Sequence, residues 1–195
     1  MAQEGMVSNI TMRCSIDAIT EILGENGCKI IFKGAGILDV FENPPPYDFN
    51  PCVTEGKRDK MIAEVADILG LEGALGVWRR IGFTGAKYAV EIGHVLDDKE
   101  GLEPDEKFLK ALELWSLATS EGRIVMRDDG KADFDVFNCL TCINYKSKRP
   151  ICATTAGALQ YMSDWAYGEK KYIVREIKCK AMGDDTCYYT LTERD

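Results

Sequence analysis

Histidine is nearly absent from this sequence: His94 is the only one in 195 residues. A histidine-rich metal centre is therefore excluded, and any Ser-His-Asp or Cys-His pair would rest on that single side chain. His94 itself reads as a polar residue at a helix end. Long apolar runs are missing as well, none approaching the ~18 residues of a membrane span. The opening residues, MAQEGMVSN, contain no basic stretch followed by an apolar one, so no signal peptide is read there. Positive charge is in deficit, with 24 Lys and Arg against 32 Asp and Glu and a formal charge of −8. Such a surface repels phosphates and anionic lipids, so no direct nucleic-acid partner is expected. Internal repeats and low-complexity tracts are also missing.

What remains is an ordinary globular composition, 46% hydrophobic and 29% charged, in a chain long enough to bury a core without staples. One domain over residues 1–195 is expected. It has an N-terminal helical part (about 1–120) and a cysteine-rich C-terminal part (about 121–195). A cytoplasmic location follows from the missing leader. There thiols stay reduced, so clustered cysteines point to metal or redox chemistry before structural disulfides. Cys14, Cys28 and Cys52 are scattered and read as small packed hydrophobes.

Ile16, Ile19, Ile22 and Leu23 fall on one helical face that ends at Gly24. Lys29 to Lys33 is β-rich and reads as a strand, followed by a short helix from Ala35 to Phe41. The glycines after that strand lack the third member and the βαβ setting of a dinucleotide loop. Pro44 to Pro46 force an extended path, either a stiff connector or a ligand for an aromatic groove. Thr54 is placed to cap a helix carrying Met61, Ile62, Val65, Ile68 and Leu69, which Gly70 stops. Residues 73–95 form a broad apolar stripe interrupted by Gly76, Gly82, Gly85 and Gly93. Repeated small residues let another helix, or a flat ligand, approach closely. Arg79 and Arg80 either face solvent or hold a carboxylate. Leu109 to Leu117 is a further amphipathic helix. Two β-rich runs flank Asp129-Gly130, a strong hairpin signal.

Five of the eight cysteines lie between Phe137 and Leu191. Cys139 and Cys142 bracket two residues, the spacing of a metal knuckle or a dithiol. Pro150 precedes a helix running to about Tyr167, with Cys152 in its first turn, where the thiolate is favoured. A turn at YGEKK leads into a second hairpin that brings Cys179 and Cys187 to opposing strand ends. With Glu176 this makes a set of three sulfurs and one carboxylate, and tetrahedral Zn²⁺ takes four such ligands. Residues three apart on a regular strand face opposite ways, so Glu176 and Cys179 can share an ion only across a bulge or a strand end. A redox dithiol and plainly buried cysteines stay open alternatives.

The motif Pro150-Ile-Cys152, Gly157, Trp165, Gly168, Glu176-x-x-Cys179, Ala181, Gly183-Asp184 and Cys187 resembles the signature of the 4-vinyl-reductase, or hydrocarbon-binding, domain family. Ala35-Gly36, the ENPPPYD stretch and Arg80-Ile81-Gly82 resemble its longer stand-alone members. The resemblance implies an α/β (α+β) fold, an antiparallel sheet packed with helices, of the ligand-binding type found in NO-signalling and TRAPP tethering proteins. It also implies structural zinc on Cys152, Glu176, Cys179 and Cys187, as in related phenol-sensor domains, with Cys139 and Cys142 as alternative or additional ligands. Ala153 stands where many members have histidine.

The expectation is a binding or sensory module rather than an enzyme. Its ligand would be small and hydrophobic, aromatic or tetrapyrrole-like, and its pocket lined by some of Trp78, Ile81, Phe83, Tyr88 and Trp115. Zinc is the expected cofactor, an iron–sulfur cluster the alternative, and a homodimer the expected assembly. The competing function is an accessory protein or enzyme of tetrapyrrole vinyl reduction, or a redox sensor built on the cysteines.

Overall fold

The computed structural model describes residues 5–119, 122–143, 145–168 and 171–194. The chain divides into two compact units, Met1–Val95 and Leu96–Asp195. The helix read around Leu109–Leu117 falls in the second, with the cysteine segment.

The first unit contains β1 (Met6–Ser8), α1 (Asn9–Gly34), α2 (Leu38–Glu42), β2 (Pro51–Thr54) and α3 (Glu55–Glu91). β1 and β2 are a short antiparallel pair that sequence periodicity does not reveal. The start of α1 is pinned by the loop before β2: Asn9 and Ile10 donate backbone bonds to the carbonyls of Asn50 and Asp48. α1 and α3 each bend at one glycine, Gly24 (φ 71°) and Gly70 (φ 70°). Both residues end a helical run, as the sequence suggests, but each is followed at once by another helical arm.

The second arm of α1 overturns the strand expected at Lys29–Lys33. Cys28, Ile31 and Phe32 fall at helical spacing and are wholly buried. A continuous apolar face that packs outweighs the weak β preference of Ile and Phe. α2 begins three residues later than expected, because Gly36 turns the chain with φ 73°. Thr54 takes the N-cap position of α3 without a side-chain capping bond. The Pro44–Pro46 stretch lies outside helix and strand, with Pro45 buried, as a connector would be. α1 packs on α3, and a Cβ on Gly85 would stand 3.3 Å from Cys14 Sγ. Here the small residue serves a close helix–helix approach.

The second unit opens with a 3₁₀ turn, Asp97–Lys99, and α4 (Pro104–Thr119). Then come β3 (Gly122–Met126), β4 (Ala132–Val136), α5 (Leu140–Ile143), α6 (Ala153–Tyr167), β5 (Tyr172–Lys178) and β6 (Cys187–Glu193). The strands form one antiparallel sheet in the order β3-β4-β6-β5, with helices packed on it. Both expected hairpins form. The first turns at Asp129-Gly130, where Gly130 has φ 81°. The turn read at YGEKK includes Glu169 and Lys170, which lie outside the described residues.

One sheet face is apolar: Phe134, Val136, Val174, Tyr189 and Leu191 are buried. α6 covers it and α4 packs on α6. The opposite face of β4 carries Asp133 and Asp135, which are buried. Asp133 accepts from Tyr188 and Thr190, and Asp135 accepts from Arg123. β5 is an edge strand, and α6 completes its free edge. The Gln160 side chain accepts the Val174 N–H at 2.9 Å and donates to the Tyr172 carbonyl at 3.0 Å. No helix among the described residues is long and apolar enough to cross a membrane.

Candidate metal centre

Three elements converge at one end of the sheet. Cys152 occupies the N-cap of α6, one residue ahead of the first turn where the sequence reading puts it. Cys187 opens β6, and Cys179 follows the end of β5. The pairing of β5 with β6 slips between Glu176 and Lys178. That irregularity turns Glu176 and Cys179 to the same side, which a regular strand forbids. The chain between Cys179 and Cys187 is held by Gly183 (φ 106°) and by the Asp184 carboxylate, which accepts the Cys179 N–H at 2.8 Å. The Lys180 N–H points at Cys187 Sγ, 3.4 Å away.

All five cysteines of the segment are buried. Cys152, Glu176, Cys179 and Cys187 place one donor atom each within 4.8 Å of one another, and so do Cys139, Cys142, Cys152 and Cys187. The sequence reading treats Cys139 and Cys142 as optional ligands. The structure seats them in the cluster, Cys142 on the one-turn α5 and Cys139 just before it. Cys139 Sγ lies 3.0 Å from Cys152 Sγ, and Cys142 Sγ lies 3.0 Å from Cys152 and 3.5 Å from Cys187. The backbone over this corner is tied down by the Ser147 N–H on the Ala181 carbonyl and by Lys180 Nζ on the Phe137 carbonyl.

A tetrahedral zinc with Zn–S bonds of about 2.3 Å holds its sulfurs about 3.8 Å apart. The separations between Cys152, Cys179 and Cys187, 4.0 Å and 3.5 Å from Cys152, match that spacing. Glu176 adds a second sign. Its Oε2 accepts the Cys152 N–H at 2.9 Å, while Oε1 is buried with no hydrogen-bond partner. A buried carboxylate oxygen without a donor is costly, and a cation is the natural partner for it. The donor set therefore can hold a metal ion.

The electrostatics agree. Hydrogen bonds from Cys139 and the neighbouring thiols draw the Cys142 thiol below its ordinary range. Cys152 and Cys187 are pushed up, chiefly by contact with Cys139. Burial raises Cys179 to about 11 and pushes the Glu176 carboxyl up from its ordinary value. A bound cation reverses this pattern, because ligands bind deprotonated.

Sequence reasoning misses the supporting residues Gln160 and Tyr189. The Tyr189 hydroxyl donates to the Cys152 carbonyl at 3.3 Å. Neither has a local signature, since each acts across the fold. The scattered cysteines are separate from the centre. Cys14 and Cys28 are buried in the helical unit, their thiols raised by burial to about 12 and about 11.

The pocket residues named from the sequence lie on two elements. Trp78, Ile81, Phe83 and Tyr88 belong to the second arm of α3, and Trp115 to α4 in the other unit. The Trp78 indole N–H donates to the Ile62 carbonyl at 3.1 Å, and Tyr88 donates to Asp17 at 2.8 Å. Arg80, close to the Phe83 ring, pairs with Glu21 at 2.6 Å. Inside the second unit, a cleft of only about 10 Å³ lies between Phe108, Phe134, Leu159, Val174 and Tyr189. Small-molecule pockets run from roughly 300 Å³ upward, so as it stands this cleft is small for one.

The elements and the cysteine corner define an α+β fold with a candidate metal site. Residues 132–193 match the family model of the vinyl-4-reductase domain, so the resemblance carried by the C-terminal motif holds over that stretch. No curated protein matches by sequence. Solved structures match along most of the chain. An H-NOX protein from S. oneidensis in the Fe(II) ligation state covers 96% of this chain and 96% of its own, at 14% identity and TM-score 0.59. A structure that addresses the molecular mechanism of H-NOX activation covers 97% of both chains, at 14% identity and TM-score 0.57. A vinyl-4-reductase family protein from Methanocaldococcus jannaschii covers 66% of this chain and 94% of its own at 15% identity, with a TM-score of only 0.36.

Two further matches concern haem or porphyrin distortion, one of them in the H-NOX family. Haem iron takes an axial His, Cys, Met or Tyr. The only histidine here, His94, is exposed in a left-handed turn (φ 54°) after α3. The clustered thiols stand 3.0–4.0 Å from one another, a spacing that suits one small ion. Neither feature fits a haem.

Proposed function

We propose that this chain is a small-molecule-binding, sensory module rather than an enzyme. Its C-terminal corner is closed by zinc on Cys152, Glu176, Cys179 and Cys187. The observation that carries the zinc reading is the buried Glu176 Oε1, without a hydrogen-bond partner, beside three buried thiols. The ion joins the start of α6, the end of β5 and the start of β6, three segments whose cysteines form no disulfide. Four protein ligands leave no open position for a substrate, so the metal contributes folding energy and not catalysis.

The small-molecule reading rests on the vinyl-4-reductase domain match together with the H-NOX-like fold. A hydrophobic ligand suits the aromatic side chains that α3 carries. A single ion is favoured over an iron–sulfur cluster because the sulfurs stand 3.0–4.0 Å apart, whereas a cluster would spread its thiolates over several irons.

Metal analysis of folded protein purified without added metal tests the zinc. One zinc per chain is expected, and clearly less would overturn it. Native mass spectrometry of the same sample reads a co-purified ligand and the expected homodimer. A metal-loaded chain that neither carries nor takes up any hydrophobic compound would sink the binding reading alone.

A further inference from the structure

The corner holds more donors than one ion accepts. Five thiols and a carboxylate meet there, while zinc takes four ligands. The set with Glu176 leaves Cys142 over, yet Cys142 is in contact with every thiol of that set. Its Sγ lies 3.0 Å from Cys152, 3.5 Å from Cys179 and 3.5 Å from Cys187. Cys152, Cys179 and Cys187 are also mutually within 4.8 Å. Those three sulfurs and Cys142 thus mark out a second four-donor set, built of thiols alone, with five edges of 3.0–4.0 Å and the sixth within 4.8 Å, around the ~3.8 Å of a tetrathiolate zinc. Glu176 keeps a role in either arrangement, because its Oε2 holds the Cys152 N–H whether or not Oε1 meets a cation.

We infer that Cys142 and Glu176 are alternative fourth ligands of one metal ion whose other three ligands, Cys152, Cys179 and Cys187, stay fixed. The inference rests on the metal reading above. In the exchange one metal–oxygen bond breaks as one metal–sulfur bond forms. A carboxylate is replaced by a thiolate: the Cys142 thiol gives up its proton on binding, and the released Glu176 carboxylate takes one up, so the charge on the ion's ligand shell is unchanged and no electron moves. The structural consequence falls on α5. With Cys142 bound, α5 is tied to the turn between Cys179 and Cys187. With Glu176 bound, the metal holds only α6 and the second hairpin. Thiophilic ions favour the first state and harder ones the second. The choice of ion thereby sets whether residues 139–142 are anchored.

Co²⁺ is the probe, because its thiolate charge-transfer absorption grows with the number of bound sulfurs. The parent is the full chain with Cys139→Ser, which removes the neighbouring thiol as a substitute. Into it go Cys142→Ser, Glu176→Gln and both together. Each single variant is expected to bind one Co²⁺ with a modest loss of affinity. The absorption should weaken in Cys142→Ser and persist in Glu176→Gln. The double variant should lose roughly ten- to hundred-fold more affinity than the product of the single effects. If either single change is as damaging as both together, one residue is the obligatory ligand and the exchange is overturned. Should the double variant fail to fold, the spectra of the single variants decide: equal charge-transfer intensity in the two overturns the exchange. A parent that binds no Co²⁺ overturns the metal reading itself, a separate and recognisable failure.

Discussion

The carboxylate of Glu176 accepts the backbone N–H of Cys152 at 2.9 Å, joining the edge strand β5 to the N-cap of α6 across 24 residues of chain. Both partners of this bond belong to the protein, so it does not depend on an ion. It places an acidic group at a helix N-terminus, where the helix dipole favours it. Glu176→Ala should therefore destabilise even the metal-free protein, by about 1 kcal/mol, as loss of a cap does. Thermal unfolding in the presence of chelator should show a midpoint lower by ~2–4 °C. No change would mean that the carboxylate matters only as a ligand.

Gln160 substitutes for a missing neighbouring strand at the edge of β5. Gln160→Leu fills the same space but leaves the buried Val174 N–H without an acceptor. The Tyr172 carbonyl keeps a partner, since Arg194 Nε also donates to it at 3.0 Å. One orphaned donor costs about 1–3 kcal/mol. Hydrogen exchange should show it locally, with the Val174 amide losing protection while the amides at the β4–β6 pairing stay protected.

The bend in α3 rests on the backbone of Gly70 and not on lack of space. With φ 70° and no atom within 4 Å of an added Cβ, Gly70→Ala meets no clash. The cost is conformational, about 1–3 kcal/mol for a non-glycine residue at φ 70° and ψ 162°, a backbone region essentially reserved for glycine. Gly24→Ala should behave alike, with φ 71° and equally open surroundings. Denaturant unfolding of both variants should show this loss, with the slope of the transition unchanged.

Asp48 accepts from the Asn9 side chain at 2.8 Å and from the Asn50 N–H at 2.9 Å. These bonds, the Asn9 one foremost, hold its pKa below 3.8. The sign follows from the depressed folded value. The stabilisation is present above the unfolded pKa and is lost as pH falls through the folded one, that is, below about pH 4. In Asn9→Ala the Asp48 carboxyl, followed by NMR titration, should move upward towards 3.8. A titration curve that does not move would show that Asn9 is not the cause.

Features that depend on neighbours in sequence were legible from residues alone. Asp129-Gly130 makes its hairpin because the turn chemistry is local. The donor types at Cys152, Glu176, Cys179 and Cys187 were legible from residue type, and so was the need for a bulge; the structure brings the four donor atoms within 4.8 Å of one another, with the pairing irregular between Glu176 and Lys178. The second arm of α1 was misread as strand because Lys29–Lys33 is short and β-rich. The competing helical period of Cys28, Ile31 and Phe32 counts only once a partner helix buries that face.

What the sequence by itself determined is the supply of chemistry: thiols and a carboxylate in place of histidine, at spacings that suit a closed metal site. Only the tertiary structure decided how many of them meet. Whether Cys139 and Cys142 join the corner depends on how β4 ends and where α5 sits over the second hairpin. That is set by packing between segments distant in the chain, such as Cys142 and Cys179, 37 residues apart and 3.5 Å from sulfur to sulfur. Spacing along a chain limits which groups can point the same way, but closure of the fold decides which of them come within reach of one ion.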